Sequence, residues 1–509
     1  MGDNKCSHEG CEFDVYEESS KCVLHCEKKK KYDYRDKEIY EDFNEALICN
    51  IAQKIEACKN NKYDDVIIDE QSAIKILNGK SFQTVFHNDE WMIDVAKNAF
   101  FTTVNFDYVI FPDKKASDDF NYERVLRKLK AVQFNKCHFN TNNIQLDGIK
   151  CFFNDCKFHV PWTLLNYAIL ENEYNTIYQA CKFYDNVSNY TLIDRKSFAH
   201  YDVSQFDYTC KFEKELSFSN VKFKNPLFYA AQKNYLEDRN FIKVLTFSDC
   251  TFEQSFRLNN YQIDDFTCTD TVFKQVADFS NTVFYKNNFT NTLFEDTSSF
   301  IESKFCDDVD FKYTVFEKLV IFKKAIFEKS INLEDSIIKG EANFLNITSR
   351  NKKINIANKE TARIIKHSFD KVGNTIEANK YFAYEMKKER EAISIKEDFD
   401  KKTMLNLNYW ISDFGQSWVK AFIWILGIAL LHYFIVKGTF QCISPSNFIY
   451  EPLKLLGDFF DDLANSIIPF RKFIKSDKEG MEFINLIFLI VYSTLIYNLV
   501  IAVKRITKR

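Results

Sequence analysis

Residues 300–344 read FIESKFCDDVDFKYTVFEKLVIFKKAIFEKSINLEDSIIKGEANF. Phe300, Phe311, Phe322, Leu333 and Phe344 stand eleven residues apart, and the interleaved Phe305, Phe316, Phe327 and Ile338 keep the same spacing. The steps therefore alternate between five and six, which neither a strand period of about 2 nor a helical period of about 3.6 produces. Upstream the beat runs through Phe273, Phe279, Phe284, Phe289 and Phe294. Two positions before most of these residues stands a small or β-branched one: Ala277, Thr282, Thr292, Ser298, Ser303, Thr314, Ala325, Ser336, Ala342. A short fixed period of this kind predicts a solenoid, in which each coil buries its side chains on the next.

Composition agrees. The chain has 509 residues, with 52 Phe beside only 11 Gly and 6 Pro. So little Gly excludes collagen-like and Gly-linker architectures, and 46% hydrophobic residues exclude disorder throughout. A formal charge of −4 gives no drive toward nucleic acid. Residues 273–350 carry ten Lys/Arg against twelve Asp/Glu, too even for an acidic mimic of DNA.

The rhythm also places cysteines. Cys137, Cys151, Cys156, Cys181, Cys210 and Cys250 each precede a Phe by two, at the small position of the repeat, where a buried thiol acts as a small hydrophobe. Stretches such as ADFSN, TVFYK, TLFED, TVFEK and ANFLN resemble the pentapeptide-repeat family. The resemblance implies a right-handed quadrilateral β-helix of four units per coil, with the central Phe and the small residue pointing inward. Repeats are expected over 100–350, interrupted by helical insertions at 160–180 and 225–244 and a short helix in 118–130.

The first 30 residues hold Cys6, Cys11, Cys22, His25 and Cys26, with His8 nearby. Four thiols and an imidazole within 21 residues fit two donor pairs closing a tetrahedral zinc site, the fourth ligand being His25 or Cys26. No hydrophobic core can form in so short a segment, so a structural metal is its expected source of order. Similar knuckles stand on some bacterial pentapeptide-repeat proteins. Residues 31–99 follow as a helical and mixed linker; in it, helical periodicity through Ile39, Phe43, Leu47, Ile51 and Ile55 predicts one helix, with Cys49 and Cys58 as packing residues.

After the repeats, 351–403 reads as a helical neck, with Gly373 as a helix stop. The last segment, 404–509, reads as a membrane domain. Residues 421–436 are uncharged, and extending them back to Trp418 admits only Lys420, near the end; residues 483–503 are uncharged too, and each segment so read is long enough to cross about 30 Å of hydrocarbon. Lys504, Arg505, Lys508 and Arg509 follow the second span, whereas the loop 437–483 balances six Lys/Arg against seven Asp/Glu. The positive-inside bias then puts both termini in the cytoplasm, and fifteen Cys with no apolar leader after Met1 suit the same reducing side. Residues 450–470 read as an amphipathic helix between the spans, without the filter sequence of potassium channels. On the second span Ser493, Thr494, Tyr497 and Asn498 share an arc of about 140°, a face for helix packing or for lining a pore. The neck and membrane entry are also similar to those of membrane-anchored pentapeptide-repeat proteins, which implies a bacterial inner-membrane location.

The expected function is a non-enzymatic, membrane-tethered scaffold that offers its surface to a cytoplasmic protein partner, with the lipid bilayer as its support. The alternative is a channel-like or membrane-perturbing effector whose spans form a homo-oligomeric pore. Enzyme motifs are missing: Gly79-Lys80-Ser81 lacks the Gly that a phosphate loop needs at position 74, which is Ile74.

Overall fold

The computed structural model describes residues 5–17, 19–27, 37–57, 68–100, 102–113, 122–146, 148–169, 175–189, 199–229, 240–350, 354–396, 398–437 and 482–507. It divides into two units, the first covering residues 1–331 and 335–355, the second 332–334 and 356–509.

The first unit is a β-solenoid of about nine turns. Its strands pair in parallel, many only two residues long, and the longest sheet counts twelve. Phe284 is in register with Phe305 and Phe305 with Phe327; another row runs Phe273, Phe294, Phe316, Ile338. Stacked rings follow the registers, with centroids 5.0 Å apart for Phe279–Phe300 and for Phe300–Phe322, and 5.1 Å for Phe305–Phe327. These distances are close to the strand spacing of about 4.8 Å, so each ring touches its equivalents above and below. All of these Phe are fully buried, as are Ala277, Thr282, Ser303, Thr314 and Ala325 at the small positions.

The small position carries a hydrogen bond as well as a size constraint. Ser303 Oγ donates to Phe279 O at 2.7 Å, Thr314 Oγ1 to Phe289 O at 2.6 Å, and Thr292 Oγ1 to Cys268 O at 3.0 Å. In the earlier coils thiols make the same bond: Cys137 to Phe106 O at 3.2 Å, Cys156 to Phe134 O and Cys181 to Phe153 O at 3.3 Å. Cysteine here is a stand-in for serine and threonine, and more than the small hydrophobe expected of it.

Upstream the coils vary in length while the aromatic register holds. Phe111, Phe139, Phe158, Phe183 and Phe212 pair in sequence, with ring centroids 5.0, 4.9, 4.5 and 5.2 Å apart. The two expected helical insertions are corrected to strand where they are described, and residues 170–174 and 230–239 lie outside the described residues. Residues 162–163, 168–169 and 176–179 are strands, and so are 228–229 and 240–248. Trp162, Tyr167 and Tyr178 are buried where later coils use Phe, so the coil continues although the Phe spacing is lost. The short helix in 118–130 is present, as Tyr122–Leu126.

Among the described residues, four helices precede that one: α1 (Lys37–Ala57), α2 (Glu70–Leu77), α3 (Phe82–Val85) and α4 (Glu90–Phe100), with Tyr122–Leu126 as α5. The α1 face carrying Phe43, Leu47, Ile51 and Ile55 is buried as its periodicity predicts, and Phe43 meets Phe111 edge-on at 5.9 Å. An apolar helix thus covers aromatic residues of the first coil, as the end of a solenoid requires. Cys49 on α1 is half-buried, and Cys58 lies outside the described residues. Gly79 turns the chain between α2 and α3, and the Ser81 hydroxyl accepts from Thr84 N as the cap of α3.

The second unit is helical: α6 (Lys359–Lys371), α7 (Thr375–Ala392), α8 (Phe399–Ser412), α9 (Trp418–Lys437) and α10 (Glu482–Thr507). Gly373, at φ +74°, turns the chain between α6 and α7. Buried Glu385 on α7 receives Arg363 Nε at 2.9 Å and Lys366 Nζ at 3.3 Å. The helix α10 is long and apolar enough to cross a membrane over Phe483–Thr507. It packs on α9 through Phe488 and Tyr492 against Ala429. The amphipathic segment 450–470 lies outside the described residues.

Candidate metal centre

The N-terminal segment folds so that Cys6, Cys11, Cys22 and His25 present one donor atom each, all within 4.8 Å of one another. A turn brings this about: the amide nitrogens of His25 and Cys26 both bond to Cys22 O, which returns the imidazole over the Cys22 thiol. The Cys6 amide bonds to Phe13 O, closing the first loop. Cys22 Sγ is 3.3 Å and Cys6 Sγ 3.6 Å from His25 Nδ1, and Cys11 Sγ is 3.6 Å from Cys22 Sγ. A tetrahedron with metal–sulfur bonds of about 2.3 Å has sulfur–sulfur edges of about 3.8 Å. A disulfide would hold the sulfurs at about 2.05 Å, and none joins these thiols. The four donors therefore stand at the edges of a site that can hold one tetrahedral cation.

Cys26 is left out of the group. It is buried, and its thiol donates to Val23 O at 3.7 Å. Of the two candidates for the fourth ligand, the imidazole faces the thiols and Cys26 does not. The other imidazole nitrogen, Nε2, lies 3.3 Å from the carbonyl oxygen of Asp107, at the end of β1 (Thr103–Asp107). A proton on Nε2 leaves the Nδ1 lone pair toward the thiols, the usual outer support of a metal-bound histidine. Spacing could not have found Asp107, which is 82 residues away. The His8 ring lies tilted against the His25 ring at 4.3 Å and against Tyr108 at 4.7 Å, as packing around the group.

Electrostatics favour a cation. Burial and then the neighbouring Cys11 sulfur push the Cys22 thiol up to about 12. Burial raises Cys11 too; at Cys6 burial is outweighed by the backbone amides of Cys22 and His8, and the thiol is lowered. Sulfurs so close cannot all ionise against one another without positive charge between them.

The segment joins the solenoid directly. Ile110 N, in β2 (Ile110–Phe111), donates to Leu24 O at 2.9 Å, so the knuckle backbone takes the place of a preceding strand.

On α10 the four polar residues remain on one side but do not face α9. Ser493, Thr494 and Tyr497 are exposed and Asn498 is half-buried. Thr494 Oγ1 donates to Ile490 O at 2.9 Å and Asn498 Nδ2 to Thr494 O at 2.8 Å, within their own helix.

Comparison with protein-family models, curated proteins and solved structures gives no match.

Proposed function

We propose that the chain is a non-enzymatic scaffold of the pentapeptide-repeat kind, tethered to a bacterial inner membrane by two spans with both termini in the cytoplasm. The observation that carries this reading is the division between inside and outside. The interior is filled by stacked Phe, and the outer faces bear ladders of paired charge. Lys318–Asp296, Lys324–Glu302 and Lys339–Glu317 pair across successive coils at 2.8, 2.7 and 2.7 Å. Each exposed pair adds about 0–1 kcal/mol, so the ladders define a surface more than they stabilise it. A rigid, regularly charged face suits a protein partner. The quadrilateral form is supported by paired Phe 21 and 22 residues apart, room for four five- or six-residue steps.

Three thiols and one imidazole make zinc the best-fitting cation, held by Cys6, Cys11, Cys22 and His25 as a closed structural site. The tether is supported by α10 and by the 20-residue apolar α9 packed on it, with Lys504 and Arg505 marking the cytoplasmic end.

The exposed polar side of α10 favours a second reading, in which several chains line a pore with Ser493, Thr494, Tyr497 and Asn498. Liposomes carrying the purified full chain separate the two. The scaffold reading expects them to hold an ion gradient, and leakage that depends on the protein supports the pore.

A further inference from the structure

The helix α8 has two apolar faces, and the chain covers one of them. Leu405 is buried in a cluster with Ala383 and Phe414, and Tyr409 packs against it. Phe399, Met404, Leu407 and Trp410 are 65%, 61%, 46% and 57% exposed. At about 100° per residue these four, with Ile411, fall in an arc of about 140°. Asp400, in the first turn, is the one charge within it. Exposed apolar surface is disfavoured in water by about 25 cal/mol per Å², and so broad a face marks a contact surface.

Two contacts within this unit set its level. Arg505, just past the apolar stretch of α10, donates through Nη1 to Phe414 O at 2.5 Å, two residues beyond the end of α8. The end of α8 therefore lies level with the basic end of the span. Gly415 permits this approach: it takes φ +79°, and a Cβ there would meet the Arg505 side chain at 2.9 Å. On the α9 side, Trp424 Nε1 donates to Trp410 O at 3.0 Å. Trp410, Trp418 and Trp424 are 57%, 47% and 44% exposed, and tryptophan concentrates at the headgroup level of membranes. Lys420 and Lys504 are exposed at the same ends of α9 and α10, where lipid phosphates would meet them.

We propose that the open face of α8 docks into the headgroup–acyl boundary of the lipid bilayer, on the basic side of the spans. The inference rests on the membrane reading of α9 and α10 and adds a third attachment. The neck is then held at the membrane surface by an interfacial helix as well as by the spans that follow it.

The test is site-specific photo-crosslinking of the full chain in vesicles of phosphatidylcholine and phosphatidylglycerol. The photoreactive residue replaces Leu407, or Ile490 on the exposed side of α10, or exposed Tyr313 on the solenoid. The inference expects lipid adducts at 407 and 490 and their loss at 313. Adducts at 490 without any at 407 overturn the inference and leave the spans standing. Protein adducts at 407 overturn it in favour of a partner chain or a second copy. No lipid adduct at either position overturns the membrane reading, and the inference with it.

Discussion

His25 and Asp107 are joined through the outer nitrogen of the imidazole, whose Nε2 lies 3.3 Å from the Asp107 carbonyl oxygen. One face of the ring turns toward three thiols and the other holds the end of the first solenoid strand. Metal binding and the first coil are therefore coupled. Cys22→Ser and His25→Ala are expected to abolish one equivalent of bound zinc per chain, whereas Cys26→Ser retains it. Elemental analysis of the purified variants checks both. In the two that lose zinc, amide exchange at Tyr108 and Ile110 rises and exchange around Phe300 stays as it was, because stability is local in a repeat fold.

Phe300 is stacked between Phe279 and Phe322 at 5.0 Å on each side and is fully buried. Phe300→Ala should cost about 3–5 kcal/mol in denaturant unfolding. Tyr285, 44% exposed, should change stability by less than about 0.5 kcal/mol when replaced by Ala.

Cys156 and Cys181 donate across coils as Ser303 and Thr314 do. Cys156→Ser should stay within about 1 kcal/mol of the parent, and Cys156→Leu should cost about 1–3 kcal/mol by overpacking. Burial drives both thiols well above their ordinary range. Alkylation of the native protein should spare them while it reaches the partly exposed Cys306, as peptide mapping would show.

The scarcity of glycine has a backbone consequence. Asn281, Asn291, Glu302, Tyr313, Lys324, Asp335 and Asn346 all take positive φ, at steps of ten or eleven residues. The solenoid thus turns through the left-handed region with ordinary side chains, which costs about 1 kcal/mol each where Asn or Asp is absent. Tyr313→Asn should raise stability by about 1 kcal/mol in the same unfolding assay. Gly340→Ala should lower it, since a Cβ there would meet Lys318 O at 2.2 Å.

The solenoid was legible because its period is stamped on the side chains that face inward. It faded where Trp162, Tyr167 and Tyr178 replaced Phe, since a helix and an irregular coil look alike once the spacing is gone. The metal cluster was legible as a set of donors. The choice of His25 over Cys26 was not, because it depends on a turn at Cys22 and on Asp107 far along the chain. Three of the left-handed corners were hidden for a different reason: Glu302, Tyr313 and Lys324 give no local sign of positive φ, unlike the Asn and Asp at the others. The open face of α8 was masked by its nearness to the span, where apolar residues raise no question.

Attachment of the scaffold to a membrane is tested by fractionating cells that produce the full chain and extracting the membranes with alkaline carbonate. The protein is expected to stay with the carbonate-washed membranes and to leave them only in detergent. Recovery of folded protein entirely in the soluble fraction would contradict that attachment.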